Sequence, residues 1–203
     1  MPPARFLVIL FTCAAFAGTV EVKSPDGHLA VHLDANRYDV TFDGQTLIRP
    51  SRLGLYLDGA APLASFLEIA SSPQTTHRGT WKPVYGERAL IPDNYNEAVV
   101  TLRETIPPRR TLQVIVRAYD EGIAFRYRRP QAAAIQNEAT EFALPPGTLV
   151  WETHGAQARY AKVPVDDLKP DAERPLTIEY PSGLYAAIAE AAVTIANPVQ
   201  TKI

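Results

Sequence analysis

Residues 112–127 read Leu-Gln-Val-Ile-Val-Arg-Ala-Tyr-Asp-Glu-Gly-Ile-Ala-Phe-Arg-Tyr, and they decide the fold class. Leu112, Val114, Val116 and Ala118 fall on alternate positions, as a strand with one apolar face requires. Asp120-Glu121-Gly122 then supplies turn residues, and Ile123, Phe125 and Tyr127 return with the same alternation. Two alternating runs about a short acidic–glycine turn specify an antiparallel hairpin.

The same period extends outward in both directions. Leu29, Val31 and Leu33 alternate upstream, as do Tyr38, Val40 and Phe42, and Asp43-Gly44 follows as a tight-turn signal. Leu53, Leu55 and Leu57 continue to Asp58-Gly59. Downstream, Leu176, Ile178 and Tyr180 lead into Pro181-Ser182-Gly183 and on to Leu184. No amphipathic helix intervenes, and 18 prolines argue against long helices. Short strands separated by turns predict an all-β chain, an antiparallel sandwich or barrel. Residues 60–79 have weak periodicity and are expected to be irregular. Residues 185–196 are alanine-rich, which favours helix on propensity alone. They are read as strand because they follow a proline–glycine turn directly after a strand. Residues 163–175 are polar and proline-rich, as in a long surface connection.

The 203 residues suit one domain, and 46% hydrophobic with 21% charged residues is a globular composition. The net charge of −2, without a basic block, gives no sign of nucleic-acid binding. The nearest basic group is Arg126, Arg128 and Arg129, and a solvated sheet face accounts for it. At the start, Arg5 precedes an apolar run over residues 6–16, and Ala15-Phe16-Ala17 has the form of a cleavage site. Residues 1–17 therefore read as a secretory signal peptide, too short to span a membrane. A lipid anchor through Cys13 is disfavoured, because Leu10-Phe11-Thr12 lacks a small residue directly before the cysteine. Cleavage after Ala17 leaves residues 18–203 without cysteine, and a periplasmic or secreted location is expected. The chain ends at Val199-Gln200-Thr201-Lys202-Ile203, directly after a strand-like run, so its last domain is expected to be incomplete.

Catalytic motifs are scarce. The four histidines, His28, His32, His77 and His154, form no recognisable zinc pair; on one strand His28 and His32 would stand about 13 Å apart. There is no Gly-x-Ser-x-Gly elbow and no glycine-rich phosphate loop. Asp166 and Asp167 sit in a polar loop and read as solvated. Glu190 stands out as the one charge within residues 183–196. A carboxylate in an apolar strand needs a cation or donors to meet it, or else an edge position open to water, and both readings stand. Thr80-Trp81-Lys82-Pro83-Val84-Tyr85-Gly86-Glu87 and Asp93-Asn94-Tyr95-Asn96-Glu97 mix rings, amides and charges. Trp81 and Tyr85 could cover apolar sugar faces while Asn94 and Asn96 take hydroxyls, although the same mix also builds rigid loops.

These segments, taken in order, carry a resemblance. They are Ser24-Pro25-Asp26-Gly27, Ser51-Arg52-Leu53-Gly54-Leu55, Trp81 to Glu87, Tyr95-Asn96-Glu97, Arg117 to Tyr127, Thr140-Glu141-Phe142, and Gly183-Leu184-Tyr185 through Glu190-Ala191-Ala192. Together they resemble the N-terminal domain of glycoside hydrolase family 97, a family of bacterial exo-acting α-glucosidases and α-galactosidases. The resemblance covers residues 20–193. It implies an antiparallel β-super-sandwich of the galactose-mutarotase-like kind. It also implies a (β/α)8 barrel after this domain, carrying the catalytic carboxylates, and an active-site calcium that takes one glutamate from the N-terminal domain. The matching position is Glu190, where relatives commonly read His-Glu-Ala-Ala and this chain has Ala189. Calcium takes about six to eight oxygen ligands, so Glu190 alone cannot hold it tightly. The expectation is a scaffold and active-site wall that binds oligosaccharide or α-glycoside and is inactive alone. A free-standing carbohydrate-binding module is the alternative. A mutarotase-like epimerase needs a histidine and a carboxylate together, and the sequence offers His154 without an evident partner.

Overall fold

The chain forms antiparallel hairpins from its first described residues onward. The computed structural model describes residues 18–128, 134–155 and 157–190. Residues 1–17, read from the sequence as a signal peptide and holding Cys13, lie outside these, as do Arg129 and the chain end at residues 199–203. Strands β1 (Val20–Lys23), β2 (Leu29–Asp34), β3 (Arg37–Phe42) and β4 (Gln45–Arg52) form a four-stranded antiparallel meander. Phe42 pairs with Gln45 across Asp43-Gly44, whose φ angles of 48° and 78° are those of the mirror-image turn that matches strand twist. The strands that follow in the chain are β5 (Leu55–Leu57), β6 (Ala60–Leu63), β7 (Leu67–Ser71), β8 (Gln74–His77), β9 (Thr80–Trp81), β10 (Ile91–Pro92), β11 (Tyr95–Glu104), β12 (Thr111–Tyr119) and β13 (Gly122–Arg128), and they divide among three sheets.

The second sheet runs β13-β12-β11-β7, with β8 also on β11. Tyr119 pairs with Gly122, so the hairpin read first in the sequence turns on Asp120-Glu121. Leu112, Val114, Val116 and Ala118 all face inward and are buried. They meet Val22, Val31, Leu33 and Val40 of the first sheet in one core, which also takes in Leu53, Leu55 and Leu63. The chain is thus an all-β antiparallel sandwich.

Its outward face is organised by cross-strand pairs. Arg117 Nε donates to Glu97 Oε2 at 2.6 Å, Arg103 pairs with Glu68, and Arg128 reaches Gln113, which reaches Thr101. Such pairs stabilise a solvated face.

Residues 60–79 contain three strands, contrary to expectation. The long β11 is flanked on one edge by two short strands, β7 opposite Thr101–Glu104 with a register shift between Thr101 and Leu102, and β8 opposite Tyr95–Ala98, with Pro73 between the two strands. Proline interrupts the ladder. All four residues of β8 are exposed, so no apolar alternation marks it in the sequence.

Two further sheets complete the described chain. β14 (Ile135–Glu138) joins β5 and β6, and β15 (Leu149–Glu152), β16 (Ala161–Pro164), β17 (Leu176–Glu179) and β18 (Tyr185–Ile188) form a sheet in the order β16-β15-β17-β18. The latter has its own core of Leu144, Val150, Leu176, Ile178 and Tyr180, and Leu47 packs against both cores. Burial pushes the Tyr180 phenol up to about 12. The turn Pro181-Ser182-Gly183 closes with Tyr180 N–H on Leu184 O, and Gly183 has φ +85°. The strand read across residues 185–196 ends at Ile188. Residues 189 and 190 are irregular, and 191–196 lie outside the described residues.

Candidate functional site

Glu190 lies two residues past the end of β18, where the register of Leu176 on Ile188 delivers it to the rim of the last sheet. It is exposed, and neither helical nor inside a strand. Its Oε1 is 2.6 Å from Arg174 Nη1. The conflict posed by a carboxylate in an apolar run is therefore resolved at a strand end, by a guanidinium and by water.

A second carboxylate stands nearby. Glu138 ends β14, half-buried, and its carboxyl is raised above the ordinary range. Desolvation is the main cause, and the field of Glu190 adds to it, while Thr140 and Arg174 act the other way. Thr140 Oγ1 donates to Glu138 Oε2 at 3.1 Å, and the Tyr127 hydroxyl lies 2.9 Å from Thr140 Oγ1. The Gly54 N–H donates to the Tyr127 oxygen at 3.1 Å. With the Thr140 hydroxyl donating to Glu138, Tyr127 donates to Thr140, and the chain from Gly54 to Glu138 runs in one direction. Burial raises the Tyr127 phenol well above its ordinary value, which keeps it a donor.

Glu138 also lines a cleft of about 340 Å³ with Arg52, Tyr56, Gln136, Asn137, Thr140 and Glu141. Arg52 and Glu141 pair along one wall, through Arg52 Nε to Glu141 Oε1 at 2.7 Å and through the backbone. This pair holds the Glu141 carboxyl below the usual carboxylate range. Neither Glu138 nor this cleft stood out in the sequence. The signal lies in Thr140-Glu141-Phe142, which marks the place without showing which atoms meet.

The loop residues are placed differently. Trp81 sits on a two-stranded ribbon, β9 with β10, and is 52% exposed. Tyr85 lies in the intervening loop and is 89% exposed. Asn94 Oδ1 accepts the Gly79 N–H at 3.1 Å. Asn96 accepts from Thr76 Oγ1 and donates to Lys23 O, both at 2.8 Å. Both amides thus hold the chain's own backbone or neighbouring side chains, while the two rings project. Tyr95 is sandwiched, stacked on His77 at 4.9 Å with Arg117 over its ring at 4.2 Å.

Each histidine has an acidic neighbour. His28 Nδ1 meets Asp43 Oδ1 at 2.6 Å and its ring is raised above its ordinary value by that bond. His32 lies between Glu21 and Asp39 on β2. His154, read from the sequence as lacking a partner, is 3.2 Å from Glu152 Oε2. That oxygen also accepts the Lys169 N–H at 3.0 Å, so the pair anchors the loop before β17. Among the described residues, no group of three or more His, Cys, Asp or Glu side chains is arranged to hold a metal ion.

Known proteins share this architecture. A glycoside hydrolase family 97 enzyme from Pseudoalteromonas sp. strain K8, solved as a variant in complex with panose, is 26% identical, with a TM-score of 0.75 over 82% of this chain and 27% of its own. The same values hold for that enzyme in complex with acarbose. A β-arabinopyranosidase at 19% identity has a TM-score of 0.76 over 86% of this chain and 32% of its own, a likeness of fold. The chain therefore spans about a third or less of the length of these enzymes. The family model described as "Glycosyl-hydrolase 97 N-terminal" matches residues 22–198. By that match the chain belongs to glycoside hydrolase family 97, as its N-terminal domain.

Proposed function

We propose that this domain forms one wall of the active site of an exported family 97 α-glycosidase and that Glu190 gives a calcium ion one of its ligands. The observation that carries the reading is the placement of Glu190. It lies two residues past a strand end, exposed at the rim of the last sheet, with Glu138 and Arg174 beside it. Carboxylate oxygens are the donors calcium prefers, and it takes about six to eight of them. Two carboxylates at a rim fit a share of such a sphere and fall short of a whole one. The other ligands would come from a (β/α)8 catalytic barrel that this domain faces. Bound there, calcium supplies positive charge at the sugar-facing rim.

The chain's own part is to orient. The Tyr127–Thr140 relay fixes Glu138, and Arg174 holds Glu190 in place. Glycoside hydrolysis needs an acid and a second carboxylate across the scissile bond. We assign both to the barrel, so the domain by itself is non-catalytic. Export with loss of residues 1–17, to the periplasm or beyond, completes the reading. No helix among the described residues is long and apolar enough to cross a membrane.

The test has two parts. Terbium, which substitutes for calcium at oxygen sites, is titrated into the purified chain, with luminescence as the readout. Weak binding that is lost in Glu190→Gln is expected, and equal binding by the two proteins contradicts the assignment. Aryl α-glucoside and α-galactoside are then supplied with calcium. No turnover above buffer is expected, and turnover that disappears in Glu190→Ala contradicts a non-catalytic domain.

A further inference from the structure

We infer that the cleft at Tyr56 is a binding subsite for one pyranose unit of an oligosaccharide. This deepens the reading of the domain as an active-site wall and rests on it, since Glu138 joins the cleft to the Glu190 rim. The local backbone is built around Tyr56. β14 departs from regular register between Ile135 and Asn137, so Gln136 is an extra residue opposite β5, and β5 itself shifts register against β6 between Leu55 and Leu57. Bulges of this kind bend a strand and re-aim its side chains, and they gather beside functional sites. Here they bring Gln136 and Asn137 against Tyr56, which is paired with Asn137.

Tyr56 points away from the core that holds its neighbours Leu55 and Leu57, and the residue is 39% exposed. The Asn137 amide is oriented by its own Oδ1, which accepts the Glu138 N–H at 2.8 Å. Glu138 is oriented by Thr140. The result is a ring, two amides and the Glu138 carboxylate beside the Arg52–Glu141 pair, in a space of about 340 Å³. Sites on regular elements hold their geometry better than sites on loops, and the volume is in the range of small-molecule pockets, about 300–1,000 Å³.

The charges select the ligand class. Arg52 is committed to Glu141, and Glu138 adds a further acidic group. An anionic ligand would meet carboxylates without a dedicated cation. A neutral polyol fits: its apolar ring face lies on Tyr56, and its hydroxyls donate to Glu138 and exchange bonds with Gln136 and Asn137. The exposed Trp81 lies on a separate ribbon, so the two aromatic positions are distinguishable.

The experiment is a titration of the chain with panose, followed by backbone amide shifts. The expected result is a cluster of shifts over residues 52–57 and 134–141. Tyr56→Ala weakens binding at least about tenfold, while Tyr56→Phe stays within about threefold. The shift map of the wild-type chain decides the matter even if a variant is unstable. Absence of panose shifts, shifts centred on Trp81 and Tyr85, or a folded Tyr56→Ala variant that binds like wild type overturns the inference. Terbium binding that still depends on Glu190 in that case leaves the calcium reading standing.

Discussion

Glu104 has the inward parity of β11, in line with Ala98, Val100 and Leu102, and its side chain is 5% exposed. Arg110 meets it with two side-chain bonds, Nε to Oε2 at 2.9 Å and Nη2 to Oε1 at 2.5 Å, and with its own N–H at 2.9 Å. Its Nη1 donates onward to Ala61 O. The bidentate bond to Arg110 holds the Glu104 carboxyl below the ordinary glutamate range, against the opposing effect of burial. A carboxylate with a depressed value stabilises the fold at neutral pH, and that share is lost as pH falls through the unfolded and then the folded value. Glu104→Gln is expected to lower the unfolding free energy by about 2–3 kcal/mol at pH 7. The gap from wild type narrows below about pH 4.3. Urea melts of both proteins between pH 7 and pH 3 check this, and a gap that stays constant contradicts it. The sequence shows Glu104 and Arg110 only as two charges about a Pro107-Pro108 turn. Their pairing depends on a hairpin register that no local pattern records.

Strand elements set what the site can be, and Gly54 links them. A Cβ at this position would stand 2.7 Å from Ala64 Cβ and 2.8 Å from the Leu63 carbonyl oxygen. Its N–H goes to Tyr127, and its carbonyl accepts the Ala139 N–H at 2.9 Å. Gly54 thus joins β5, β13 and the segment after β14 at the point where the Glu138 relay begins. Gly54→Ala is expected to cost about 1–3 kcal/mol through overpacking, read as a lower denaturant midpoint; an unchanged midpoint contradicts it. Most elements were legible because inward faces alternate strictly, as in Leu29, Val31 and Leu33 or in Leu112, Val114 and Val116. The exposed β8 and the two-residue β9 and β10 were not, since neither buries a face long enough to leave a period. The β17–β18 hairpin was legible from Pro181-Ser182-Gly183. Its exact end was not, and that end turns Glu190 from a residue inside a sheet into one at a rim. A one-residue slip of this hairpin would send every side chain of β18 to the opposite face, so the turn governs where Glu190 arrives.

At the scale of the whole molecule, two packed sheets carry a third and a fourth whose meeting place holds Glu138, Glu190 and Arg174. The segments around Gly54, Thr140 and residues 183–190 are far apart in sequence and converge there, which is why the order of motifs identified the family while no single motif exposed the site. Trp81, Tyr85, Asn94 and Asn96 drew attention by composition, and the fold separates them: two project as rings and two bind their own chain. Composition reports which chemistry is present, and only the register of the strands reports where it points. The central claim is that Glu190 faces a shared cation. A crystal soaked in terbium and measured at the terbium absorption edge tests it most directly. The account predicts an anomalous peak about 2.4 Å from a Glu190 carboxylate oxygen, with Arg174 moved off that oxygen. A map with no peak there, and with Glu190 still paired to Arg174, would contradict it.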